Sequence, residues 1–330
     1  MAISNTTKKI LEILADGQFH SGTELAEQVG ISRSAIWKHI RGLSELGLEC
    51  YALSGKGYRL NQTLELLDAQ KILEALRPEV EKNISQLDIF DQIDSTNSYL
   101  MSEAGRRNSS GAICIAEYQR AGRGRRGREW VSPFGSNIYL SILWHFSSSP
   151  AAISALSLVV GIAVIRVLRQ INIQEIGLKW PNDIYWQGKK LAGILVEVSG
   201  EVDGPCTAVI GLGLNMFLPK NSAQNISQEW VDLQQILQDK QISRNDLTAL
   251  LINELVAVIS TYENLNFDAY FEEWCRYDCL KNKQAMLYIG QQQFSGKVLG
   301  IDTQGLLLME DSNGISRTFA SGEVSFSRRG

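Results

Sequence analysis

Between Gln119 and Trp130 the chain reads QRAGRGRRGREW, five arginines and three glycines in twelve residues. No other stretch limits the fold so tightly. Each glycine costs about 1 kcal/mol in a helix relative to alanine, and five guanidinium groups cannot enter an apolar core without partners. The segment must be a loop between regular elements, and its charge calls for an anion. The whole chain carries a net charge of −4, which excludes a uniformly basic nucleic-acid coat. Two readings stay open at this point. The loop grips RNA or DNA phosphates, or it is a mobile strap that closes on a smaller anion with backbone N–H groups and bidentate guanidinium bonds.

Two familiar phosphate loops are ruled out. Gly122, Gly124 and Gly127 satisfy G-x-G-x-x-G literally. No helix can follow, however, because VSPFG (131–135) breaks structure, and the gap positions are bulky arginines. A Walker A sequence is absent.

At 330 residues, 44% hydrophobic and 21% charged, the chain has room for about two globular domains and a small third. Five scattered cysteines without a Cys-x-x-Cys pair and three distant histidines argue against a zinc site or a disulfide framework. They read as reduced thiols of a cytoplasmic protein. MAISNTTKKI has no apolar signal core. The run Ile153–Leu168 is shorter than the roughly 20 residues of a membrane span and predicts a buried helix.

Residues 1–62 read as a separate unit. A first amphipathic helix carries Ile10, Leu11, Ile13 and Leu14; the capping box Ser21–Glu24 opens a second, stopped by Gly30; Ser32 caps a third with Ile36, Ile40 and Leu43 facing inward. That spacing is a helix-turn-helix, and strands 48–53 and 58–60 around SGKG make a wing. Arg33, Trp37 and Arg41 then form a stripe on the outer face, beside Ser32, Ser34 and Lys38, with Lys56 on the wing. These residues are the candidate DNA contacts.

Residues 63–282 mix strands and helices: a helix at 66–76, strands at 87–93, 111–118 and 137–143, a long helix at 152–170, closely spaced strands at 176–180, 184–186, 191–198 and 207–214, then helices at 243–264 and 267–280. The order predicts an α+β domain on a mixed sheet rather than a doubly wound one. Residues 283–330 shift to short strands with glycine turns and predict a small β-barrel.

Four further motifs surround the arginine loop: DSTN (94–97) where a strand meets a helix, KWPND (179–183), GKKLAGILVE (188–197) and GLGLN (211–215). Each has an ordinary structural reading, a cap or a strand end. Together with the loop, in this order and behind a winged helix-turn-helix, the set resembles the biotin protein ligase family, in particular its bifunctional members that also repress biotin genes. The resemblance spans nearly the whole chain. It implies a class II synthetase-like catalytic domain, an SH3-like C-terminal barrel, and a two-step reaction. Biotin and MgATP give biotinyl-adenylate, and biotin then passes to a lysine of the biotin carboxyl carrier protein.

Carried onto this sequence, the resemblance assigns biotin contacts to Ser95, Thr96, Asn97, Gln119, Arg123, Gly124, Arg125 and Lys190. Adenylate or ATP contacts fall on Arg126, Arg128, Asn182, Asn215 and Trp230, with no protein-bound metal beyond the magnesium that accompanies ATP. Lys190, Asp183, Arg123 and Arg125 are the catalytic candidates, Asp183 as the base of the transfer step. Arg328 lies one place later than the barrel contact to ATP that the resemblance leads one to expect. Operator DNA as a partner, biotinyl-adenylate as corepressor, a homodimer favoured by that adenylate, and no membrane complete the expectation. A non-catalytic biotin sensor and a lipoate-type acyl ligase are the alternatives; retained Lys190 and Asp183 oppose the first, GRGRRGREW the second.

Overall fold

Local sequence chemistry sets the first unit of the computed structural model, which describes residues 3–107, 109–224, 226–238, 240 and 242–326. Helices α1 (Asn5–Leu14), α2 (Gly22–Val29) and α3 (Arg33–Gly42) precede the two-stranded wing β1 (Cys50–Leu53) and β2 (Gly57–Leu60). The capping box at Ser21 is complete, and Gly30 ends α2 at φ 79°, where only glycine is unstrained. Ile10, Leu11, Leu14, Leu25, Ile36, Ile40 and Leu43 close this unit's core. One member comes from far away: Phe134, 1% exposed, is buried among them, and its backbone N–H donates to Leu46 O at 3.0 Å.

The chain continues through α4 (Ala69–Glu74), α5 (Pro78–Glu81), β3 (Gln86–Phe90), α6 (Thr96–Glu103), β4 (Ala112–Ala116) and β5 (Ile138–Phe146). Then come α7 (Leu156–Gln170), β6 (Ile176–Lys179), β7 (Asp183–Trp186), β8 (Lys189–Gly200) and β9 (Cys206–Leu214), followed by α8 (Leu233–Leu237), α9 (Arg244–Leu265) and α10 (Asp268–Tyr277). Strands β3 to β9 form one sheet, ordered β3-β4-β5-β9-β8-β7-β6, with β3 and β4 parallel and every other pair antiparallel. Strands β6 to β9 are joined as successive hairpins, as their spacing predicts. Helices α7 and α9 cover one face and α6 the other. Eleven of the fifteen residues of α7 are buried, so its apolar run fills a core. No described helix is long and apolar enough to cross a membrane.

Two helices start later than predicted. Asp68 accepts from Gln70 N and Lys71 N, which fixes the start of α4 at Ala69 rather than Leu66. Leu66 and Leu67 instead bond to Asn245 and Glu117. Residues 151–155 fold into turns before α7, with Ala152 N–H on Ser149 O and Ser154 N–H on Ala151 O.

The C-terminal part is a five-stranded antiparallel sheet of β10 (Gln284–Ile289), β11 (Gln292–Ile301), β12 (Leu307–Glu310), β13 (Ser316–Phe319) and β14 (Glu323–Phe326), ordered β13-β12-β11-β10-β14. The prediction lacked β14, and the edge strands β13 and β14 are not joined by strand pairing. Arg328 lies outside the described residues.

A buried ion pair anchors the base of the sheet: Arg244 of α9 and Glu117, 4% and 2% exposed, are in contact, and Arg244 also donates to Asn137 O at 2.8 and 3.0 Å. Removing one member of such a pair strands a charge and costs about 3–5 kcal/mol.

Candidate active site

The hairpin β8–β9 builds a floor in which three positions are glycine. Gly193 and Gly213 face each other across the two strands, and Gly211 opposes Leu195. The indole of Trp130 lies on this floor: a Cβ at Gly213 would stand 2.4 Å from its ring, and one at Gly193 3.0 Å away. A Cβ at Gly211 would sit 2.1 Å from Asn97 Oδ1. The glycines of LAG and GLGL are therefore required by the groups laid against them. Above the floor opens a cleft of about 960 Å³, partly continuous with solvent.

Helix α6 points its positive end at the cleft, capped by Ser95. Ser95, Thr96 and Asn97 are buried and mostly engaged with the protein. Thr96 N–H and Oγ1–H donate to Gln119 Oε1 at 2.9 and 3.2 Å, and Ser141 donates to Asn97 Oδ1 at 2.6 Å. Asn97 Nδ2 donates to Leu195 O and to Glu197 at 3.1 and 2.9 Å. Their orientations are thereby fixed in advance.

On the opposite wall, Asp183 opens β7 and Lys190 lies on β8. Lys190 Nζ is 2.9 Å from Asp183 Oδ1 in a largely buried ion pair that is out of hydrogen-bond alignment. The ammonium also sits 5.4 Å from the Trp130 ring centroid. Beside them Lys179 is pushed down from the ordinary lysine range by burial, with Asp183 opposing the shift. Its Nζ donates to Tyr185 Oη at 3.3 Å.

The arginine loop spans the cleft mouth. Gly124 N–H bonds to Arg128 O and Trp130 N–H to Gly122 O, at 2.7 and 2.8 Å, so the segment folds back on itself. Each guanidinium has an acceptor: Arg120 on Asp94, Arg123 on Glu197 at 3.1 Å, Arg125 on Asn182 Oδ1 at 3.2 Å, Arg126 on Tyr288 O at 3.2 Å and Arg128 on Glu323. Burial and then the neighbouring Arg126 lower the Arg125 pKa. The last two contacts reach the C-terminal sheet, whose Gly322, Glu323 and Val324 complete the lining.

Of the predicted ligand contacts, Ser95, Thr96, Asn97, Gln119, Arg123, Gly124, Arg125, Arg126, Arg128, Asn182, Asp183 and Lys190 line this one cleft. Asn215 and Trp230 do not. Asn215 is buried, its amide donating to Val231 O at 3.1 Å, and Trp230 forms a backbone bridge to Lys190 beside the cleft. Trp130, Lys179, Glu197 and Glu323 were not predicted. The glycine-rich strands were the only sequence signal for a flat partner such as Trp130. No group of three or more His, Cys, Asp or Glu suited to a metal occurs among the described residues.

The predicted DNA contacts occupy a second place. Ser32 caps α3, and Arg33, Ser34, Trp37, Lys38 and Arg41 are all exposed along that helix, with Lys56 exposed at the wing turn. The wing is tied to the helical unit by paired bonds between His20 and Tyr58, both 2.9 Å.

Comparison with known proteins agrees with this layout. The profile of the Biotin/lipoate A/B protein ligase family matches residues 89–215, that of an HTH domain residues 6–59, and that of the Biotin protein ligase C terminal domain residues 285–327. The chain is 42% identical over 317 residues to the bifunctional ligase/repressor BirA of Escherichia coli K12, covering 96% of both proteins. It is 30% identical to the Bacillus subtilis protein of that name, covering 96% and 98%. Among solved structures, the biotin protein ligase of Aquifex aeolicus in complex with biotin and ATP superimposes with a TM-score of 0.62 at 25% identity, over 74% of this chain and all of the other. The chain belongs to the biotin protein ligase family, among its bifunctional ligase/repressors.

Proposed function

We propose that this chain activates biotin with MgATP, transfers it to a lysine of the biotin carboxyl carrier protein, and represses biotin genes with biotinyl-adenylate as corepressor. The observation that carries the catalytic half is the cleft in which one lysine–aspartate pair is ringed by four loop arginines. In the first step a biotin carboxylate oxygen attacks the α-phosphorus of ATP, a P–O bond forms, and pyrophosphate leaves. The carboxylate is already ionised at neutral pH, so no base is needed. What the step requires is cancellation of charge between two anions. Lys190 and Arg123, Arg125, Arg126 and Arg128 supply it, the magnesium travelling with the nucleotide. Trp130, flat over two glycines with its Nε1 unbonded among the described residues, offers a platform for an aromatic base.

In the second step the carrier lysine nitrogen attacks the acyl carbon, the C–N bond forms, and AMP leaves. A free lysine amine is mostly protonated near neutrality. Asp183 is the group assigned to take that proton, and its Oδ1, not aligned on Lys190, supports the reading. Residues 1–62, 63–282 and 283–330 serve as the DNA-binding, catalytic and closing units of a cytoplasmic protein that pairs with a second copy when adenylate is bound. Biotin-dependent exchange of labelled pyrophosphate into ATP tests the first step, and no exchange by the intact chain overturns the ligase reading. Asp183→Asn is expected to retain exchange while slowing transfer about 10²–10⁴-fold; equal loss of both steps removes Asp183 from the base role. Excess lipoate that competes for exchange would reassign the substrate.

A further inference from the structure

Of seven tryptophans, Trp37 is the only one among the described residues that is strongly exposed, at 47%. It sits at the middle of the outer face of α3. The guanidinium of Arg41, one turn later, lies 4.8 Å from its ring centroid. Among the described residues, neither Arg41 nor its neighbours Arg33 and Lys38 is within ion-pair distance of a carboxylate. A large apolar ring framed by unneutralised cations suits a surface that is anionic overall yet has an apolar spot.

We propose that Trp37 and Arg41 act as one reading unit in the DNA major groove, the indole resting on a thymine methyl and the guanidinium bonding an adjacent guanine. This rests on the repressor reading above and specifies what the helix recognises. The thymine 5-methyl is the apolar group that base edges present in the major groove, and guanine O6 and N7 accept both prongs of a guanidinium. One face of the indole is covered by Arg41, which leaves the other face and the ring edge for the methyl. The stack also holds the guanidinium plane in place before contact, reducing the ordering that binding must impose. Four residues advance about 6 Å along a helix, under two base-pair steps of about 3.4 Å. The thymine and guanine must therefore lie within one or two base pairs of each other.

The test selects duplexes from a randomised library with the full-length chain, biotin and MgATP, and then measures binding at fixed salt. Selected half-sites are expected to carry a T within two base pairs of a G. Replacing that thymine by deoxyuridine, which removes only the methyl, should weaken binding about fourfold. Trp37→Ala should bind thymine and uracil duplexes equally with its salt dependence unchanged, while Trp37→Phe should restore the preference. A wild-type chain indifferent to the methyl, or a Trp37→Ala chain as sensitive as wild type, overturns the proposal and leaves the indole for a protein partner. If the library yields no preferred sequence, the repressor reading falls and takes this one with it.

Discussion

The arginine loop and the outer face of α3 are both strongly basic regions of an acidic chain, yet their charges are treated in opposite ways. In the loop every arginine has an acceptor on another part of the protein, from Asp94 and Glu197 to Glu323. On α3 the cations stand open among the described residues, and the guanidinium of Arg41 lies over an aromatic face. A site for a small anion can be kept in shape without its ligand by internal acceptors that the ligand replaces. A site for a long polyanion gains by leaving its charges unpaired, because counterion release then goes wholly into binding.

The largest effect that could break this contrast is at Lys190. Lys190→Met should lower biotin-dependent pyrophosphate exchange about 10²–10³-fold, as removal of a preorganised charge donor does; a loss under about tenfold would mean the internal pair is structural only. Next comes the open face. Arg41→Ala should weaken binding to a selected duplex about tenfold or more and relax the preference for guanine at the position it reads. Unchanged affinity and an unchanged guanine preference would place Arg41 away from DNA. Smaller still, Glu197→Gln keeps an acceptor for Asn97 but removes the charge that holds Arg123. Biotin affinity, read by equilibrium titration, should change about two- to fivefold, the size of an exposed ion pair.

The smallest effect separates the two regions by pH. His20, beside the wing, is raised in pKa: burial favours its neutral ring, but the hydrogen bonds and charges of Glu24 and Asp16 outweigh that. A raised folded pKa means stability that is full below the ordinary histidine value and lost as pH rises through the folded one. Stability of the N-terminal unit should fall by about a few tenths of a kcal/mol as pH rises across that window, and His20→Gln should abolish the change.

The N-terminal unit was legible because its signals are local. Ser21, Glu24, Gly30 and Ser32 lie within a dozen residues, and caps act over three or four. The arginine loop was legible because its composition forbids anything else. What escaped sequence reading depends on distant strands. Glu197 meets Arg123 and Asn97 across 74 and 100 residues, and it looked like the polar end of a strand. Trp130 gains its place only when Gly193 and Gly213 fall into register. Asn215 and Trp230 stand beside cleft residues in sequence, but the Asn215 amide donates to Val231 O and Trp230 bridges to Lys190 through its backbone.

Phe134 follows the arginine loop by four residues, yet it is a core residue of the N-terminal unit. A chain severed ahead of residue 63 would leave that phenyl ring without its socket, forfeiting about 1.5–3 kcal/mol of burial and baring an oily spot four residues past the loop. Deleting the DNA-reading half is thus no neutral trimming. It unseats the chain just beyond the guanidinium strap.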